Sequence, residues 1–167
     1  MKILFLDDDQ ARRARFLSEW PCAHIASTVG VANHLLDKAA AEQSPYDVVC
    51  LDHDLGGTGD VEPCSAACGC AVVDTILHHG VAAQARIIVI HSYNETAAAG
   101  MADRLAGAGA RVVMAPFNSG LFWRLLTPPR HAIGVSTPPT PAEIADSLPS
   151  ALLASPNAVS PVTTDNP

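Results

Sequence analysis

Short aliphatic runs and longer amphipathic stretches take turns along the first 126 residues of the chain. Ile3–Leu6 and Val48–Leu51 are apolar without interruption, as strands buried on both faces require. His24–Thr28, Arg86–Ile90 and Arg111–Met114 complete the predicted strands. Between them the apolar spacing becomes helical. Gln10 to about Trp20 carries Phe16, Leu17 and Trp20 as a stripe, with Arg12, Arg13 and Arg15 around it, Asp9 as its predicted cap and Pro21 at its end. Val31–Gln43 turns Leu35, Leu36 and Ala39 inward, and Cys70–His79 presents Val72, Val73, Ile76 and Leu77. Glu95–Leu105 is Ala-rich and stops at Gly107 and Gly109. A last short helix holds Leu121, Phe122, Trp123, Leu125 and Leu126, with Asn118 as its predicted cap.

Strands alternating with helices predict an α/β domain, a parallel sheet with helices on both faces. Right-handed crossovers bring every strand C-terminus to one edge, where open sheets bind ligands. The polar residues gather at that edge. Asp7 and Asp8 follow the first strand, Asp52, His53 and Asp54 the third, and His91, Ser92, Tyr93 and Asn94 the fourth. Asp7, Asp8 and Asp52 are hard oxygen donors suited to Mg²⁺ or Mn²⁺. His53 and His91 are candidates for general acid and base, with Asp52, because imidazole titrates near neutral pH; a transition-metal site or a hydrogen-bonded structural role is the alternative for either ring. Ser92 and Asn94 precede a helix whose first N–H groups suit a phosphate, a role compatible with capping it. Arg13, with Arg12, is placed to reach the same phosphate from the first helix.

Composition narrows the picture. A net charge of −7 excludes an extended nucleic-acid-binding surface and leaves a local phosphate site open. No apolar run reaches membrane-spanning length, and Met1 leads directly into a strand, so a cytoplasmic protein without a membrane partner is expected. Cys22 and Cys50 read as core residues. Cys64, Cys68 and Cys70, with His78 and His79 downstream, form a C-x3-C-x-C pattern outside the well-attested zinc spacings; packed, reduced thiols are the favoured reading. Nine of the 13 prolines lie in 127–167, so residues 1–126 are expected to form the domain and 127–167 a disordered tail, with one helix conceivable over Ala142–Leu153.

The acidic pair after strand one, the aspartate after strand three and the Pro116-Phe117 after strand five resemble the receiver domains of two-component signalling, over about Met1–Leu126. The resemblance implies a flavodoxin-like, three-layer fold with strand order 2-1-3-4-5. It implies a metal site of Asp7, Asp8 and Asp52, with Asp54 contributing a carbonyl, and a phosphoryl-accepting role for Asp52. Two family positions differ: His91 stands where Ser or Thr is usual, and Ala115 stands where a lysine would offset phosphoryl charge. LDD near the N-terminus, LDHDL after strand three and HSYN after strand four are similar to a divergent branch, the cyclic-phosphate-processing receivers. That likeness implies metal-dependent hydrolysis of a cyclic or terminal phosphate on RNA or a nucleotide. In it His53 and His91 would be acid and base, Asp54 would orient His53 or bind metal, and Ser92 and Asn94 would hold phosphate oxygens.

Two other readings compete. A non-catalytic pseudo-receiver would bind a protein through the face made by the Glu95–Leu105 helix, the Arg111–Met114 strand and the final helix. A haloacid-dehalogenase-type phosphatase would use Asp7-Asp8-Asp9. That family wants its acidic motif after its Ser/Thr motif, whereas LDHD precedes HS here, and Lys2 and Lys38 are the only lysines.

Overall fold

A computed structural model describes residues 1–56 and 68–126 of the 167-residue chain. The expected tail, its helix and Cys64 lie outside the described residues. The strands are β1 (Ile3–Leu6), β2 (His24–Ala26), β3 (Tyr46–Leu51), β4 (Ala85–Ile90) and β5 (Val112–Met114). They form one parallel sheet in the order β2-β1-β3-β4-β5, as the resemblance implied. The helices are α1 (Gln10–Glu19), α2 (Val29–Ala41), α3 (Gly69–His79), α4 (Val81–Gln84), α5 (Glu95–Gly107) and α6 (Gly120–Leu126).

Strand alternation builds the three layers. Leu4, Leu6, Val49, Leu51, Ile88 and Ile90 pack under α2, α3 and α5. Ile3, Phe5, Val48, Cys50, Ile87, Val89 and Val113 pack under α1 and α6. On that second face Phe5 stacks on Phe16, with ring centroids 4.1 Å apart, and both meet Phe122. Burying one such ring stabilises the fold by about 2–3 kcal/mol.

Register sets up the functional edge. Leu6 pairs with Ala26 and Leu51, Leu51 with Ile90, and Ile90 with Met114, so these strand ends are level. The backbone ladder continues one residue further. Asp7 N–H donates to Ala26 O, Asp52 N–H to Leu6 O, His91 N–H to Leu51 O and Ala115 N–H to Ile90 O. Asp7, Asp52, His91 and Ala115 therefore stand in one row across the sheet.

Several local expectations are corrected. β2 stops at Ala26, and Thr28, expected in the strand, caps α2 by accepting from Val31 N–H at 3.3 Å. The single turn α4 has no counterpart among the expected elements, because no helical spacing is readable in four residues. Cys22, expected in the core, is exposed just beyond α1, where Pro21 ends the amphipathic pattern. Leu17 is likewise exposed, leaving Phe16 as the fully buried anchor of α1. Ser119, not Asn118, caps α6: its Oγ accepts from Phe122 N–H at 3.1 Å, while Asn118 Oδ1 accepts from Arg15.

Candidate active site

Alternation along β1, β3 and β4 continues into the row beyond them, so Asp7, Asp52 and His91 take the α1 side of the sheet and His53 the other. One ligand atom from each of Asp7, Asp52 and His91 lies within 4.8 Å of the other two, and all three residues are buried. Asp9 begins α1, accepting from Arg12 N–H at 2.8 Å. Arg12 thereby sits in the first turn, where helical side chains lean back toward the N-terminus and so over the row. Its Nε donates to Asp7 Oδ1 at 3.1 Å and its Nη2 to Asp52 Oδ2 at 2.9 Å, while Asp8 Oδ1 is 3.8 Å from Nη2. Asp7 Oδ2 is 2.8 Å from the same Nε but lacks the alignment of a hydrogen bond. Arg13 Nη1 donates to the Asp7 carbonyl at 2.8 Å. Arg12 is the residue sequence reasoning undervalued: it is the counter-ion of the acidic row.

Asp52 is tightly held. Oδ1 accepts from His53 N–H at 2.7 Å, Oδ2 takes Arg12, and the Ser92 hydroxyl donates to the carboxylate. Ser92 Oγ also accepts from Asn94 N–H at 3.2 Å, so its hydroxyl braces the row. Asp8 turns away toward Gly56, whose N–H donates to Oδ2 at 2.8 Å.

Burial governs the charges. It pushes Asp7 up to about 6, against the Asp9 N–H and the Arg12 charge. It also raises Asp52, opposed by Arg12, Ser92 and the His53 N–H. For Arg12 burial works in the opposite sense to Asp7 and Asp52, and the carboxylates win, raising it further. His91 is sealed from solvent, stacked on Phe5 at 4.8 Å and edged by Phe122. Burial first, then Arg12, lowers its pKa to about 3, so the ring is neutral. Its Nε2 faces the Leu6 carbonyl at 3.2 Å, which makes Nδ1 the bare nitrogen. That Nδ1 has no hydrogen-bond partner and stands 3.8 Å from Asp7 Oδ2, itself without one. The ring expected to exchange protons therefore turns a neutral, unprotonated nitrogen toward two carboxylates.

His53 lies across the sheet, fully buried, with Nδ1 on Asp54 Oδ1 at 2.7 Å and Nε2 without a hydrogen-bond partner. Asp54 also meets Asn94 Nδ2 at 3.5 Å, while Asn94 Oδ1 caps α5 through Ala97 N–H. His53 and Asn94 line a cavity of about 270 Å³ with Cys70, Thr96 and Met101. Gly69 permits the close approach of α3 to this edge. Its N–H donates to His53 O at 2.8 Å, and a Cβ there would lie 2.1 Å from Asp52 O.

Residues 2–107, more than half of the chain, match the family model described as the cyclic-phosphate processing receiver domain. The chain belongs to that family. No curated protein and no solved structure matches it. In this cyclic-phosphate processing receiver the family match covers β1 through α5, and the parallel sheet continues beyond it into β5. Ala115, where ordinary receivers carry lysine, is buried at the end of the row and supplies no charge. No described helix is long and apolar enough to cross a membrane.

Proposed function

We propose that this domain hydrolyses a cyclic or terminal phosphate ester on an RNA end or a nucleotide, with a divalent cation as cofactor. The observation that carries the reading is the pair of buried atoms without a hydrogen-bond partner beside the Asp52 carboxylate: His91 Nδ1, and Asp7 Oδ2, which Arg12 Nε approaches to 2.8 Å only as a misaligned ion pair. Buried polar atoms without partners are costly unless a ligand satisfies them. Two carboxylates and a neutral imidazole fit a divalent ion, and the nitrogen donor favours Mn²⁺ over Mg²⁺. Such an ion would polarise a phosphoryl oxygen and offset its charge. Asp8 and the Asp54 carbonyl are the outer candidates for completing its shell.

The chain's own residues divide the remaining work. Arg12, ion-paired with Asp52, offers guanidinium N–H groups to a non-bridging oxygen when phosphate approaches the row. Asn94 and the first turn of α5 supply further donors; Ser92 and Arg13 act through the frame they brace. Asp54 fixes the His53 ring through Nδ1, so Nε2 is the atom able to take a proton from water attacking a phosphate that lies over the sheet edge between the row and His53; the ribose oxygen leaves as its P–O bond breaks and takes a proton from solvent. His91 contributes as a ligand and not as a proton carrier.

The test is phosphomonoester release from a 2′,3′-cyclic-phosphate RNA oligonucleotide with Mn²⁺, Mg²⁺ or EDTA. Turnover that needs the ion and falls at least 10²-fold in His53→Ala supports the proposal. One observation favours the pseudo-receiver as second reading: Arg12 already neutralises Asp52 without any phosphoryl group. Absence of turnover with either ion, together with no acetyl-phosphate labelling of Asp52, would select it.

A further inference from the structure

We propose that His53, Cys68 and Cys70 form a second metal site, selective for a soft ion such as Zn²⁺ and separate from the carboxylate row. A ring nitrogen of His53 and the two Sγ atoms lie within 4.8 Å of one another. Three atoms so spaced share a point no more than about 2.8 Å from each, and small side-chain rotations bring that to the ~2.3 Å of a zinc–sulfur bond. Two thiolates and an imidazole are the donors that Zn²⁺ takes and that Mg²⁺ refuses.

The second observation is the ring itself. His53 is fully buried, Nδ1 is taken by Asp54 at 2.7 Å, and Nε2 has no hydrogen-bond partner. A carboxylate on one nitrogen and a metal on the other is the arrangement that orients ligating histidines and raises their basicity. The frame is rigid where the ligands sit. Cys68 is fully buried at the start of α3, and the next residue's N–H holds the His53 carbonyl. Cys70 and His53 line the 270 Å³ cavity, which leaves room for a small further ligand on the side of the site that these two donors face. The C-x3-C-x-C spacing does not reveal this because the third donor, His53, lies just beyond β3, before the cysteine pattern begins.

One consequence rests on the functional reading above: an ion on Nε2 removes that atom from proton transfer, so Zn²⁺ loading and ester hydrolysis exclude each other. The site itself is tested without any activity. The full chain is stripped with chelator under reducing conditions and titrated with Co²⁺. One equivalent is expected to give a thiolate-to-cobalt charge-transfer band with the intense visible bands of four-coordinate cobalt, displaced by Zn²⁺. Cys22→Ser, exposed and remote, keeps the spectrum. Cys68→Ser and Cys70→Ser each weaken the charge-transfer band. Asp54→Asn, a partly exposed positioning residue, retains native circular dichroism and binds 10- to 100-fold more weakly. Cobalt bound without a thiolate band, or a spectrum unchanged in both Cys70→Ser and Asp54→Asn, overturns the site whatever the outcome of the RNA assay.

Discussion

Asp7, Asp52 and, at longer range, Asp8 share one guanidinium, and that sharing sets the chemistry of the edge. Arg12 lowers the cost of two buried carboxylates while no ion is present, and it competes with any ion that arrives. Arg12→Ala should therefore lose about 3 kcal/mol of stability in EDTA, as expected when one partner of a largely buried pair is removed. Added Mn²⁺ should raise its melting temperature by more than it raises that of the parent. Thermal unfolding with and without Mn²⁺ measures both; equal shifts in the two proteins would mean that Arg12 and the ion do not share a place. Asp7 carries one part of the pH dependence, with Asp52 acting in the same sense and the buried, neutral His91 in the opposite one. The folded pKa of Asp7, about 6, lies above the ordinary 3.8, so the folded state binds the proton more tightly. Its contribution is greatest below about 3.8 and is lost as pH rises through about 6, by up to about 3 kcal/mol. Urea unfolding of the metal-free protein across that window should slope downward relative to Asp7→Asn, whose neutral amide cannot titrate.

At the scale of elements, β3 and α3 meet so closely that a single methyl decides the fit. Gly69→Ala would set a Cβ 2.1 Å from the Asp52 carbonyl. The start of α3 must then retreat, loosening the His53 carbonyl bond and the side chain of Asp52 above it. We expect a loss of about 2–3 kcal/mol in urea unfolding. A loss below about 0.5 kcal/mol would show that α3 accommodates the methyl freely. The strands were legible because continuous aliphatic runs such as Ile87–Ile90 have few other uses, and the edge followed from right-handed crossovers. Strand order came from the motif resemblance, since hydrophobic spacing carries no pairing information. The nearness of Asp7 and Asp52 was readable; the burial of His91 was not, because Phe5 of β1, Phe117 of the turn after β5 and Phe122 of α6 close over it together. The α6 cap was not legible for a smaller reason: Asn118 and Ser119 are adjacent residues of equal capping ability, and only the chain's turn distinguishes them.

In the whole molecule the sheet separates two chemistries. One face presents a row of carboxylates and a neutral imidazole enclosed by aromatic rings. The other presents His53 with its carboxylate partner and two nearby thiols, and His53 and Cys70 open onto a cavity. The receiver framework is kept, with Ala115 at the position of the usual lysine and His91 at that of the usual Ser or Thr. The row's capacity for a divalent ion underlies everything else, and Mn²⁺ binding followed by electron paramagnetic resonance tests it most directly. The comparison is between the parent chain and His91→Phe, which keeps a flat ring against Phe5 and removes only the nitrogens. We predict one bound Mn²⁺ in the parent and at least tenfold weaker binding in the folded variant, with the residual affinity coming from Asp7 and Asp52. Equal affinity in both, or no bound Mn²⁺ in the parent, would contradict the site and the function built on it.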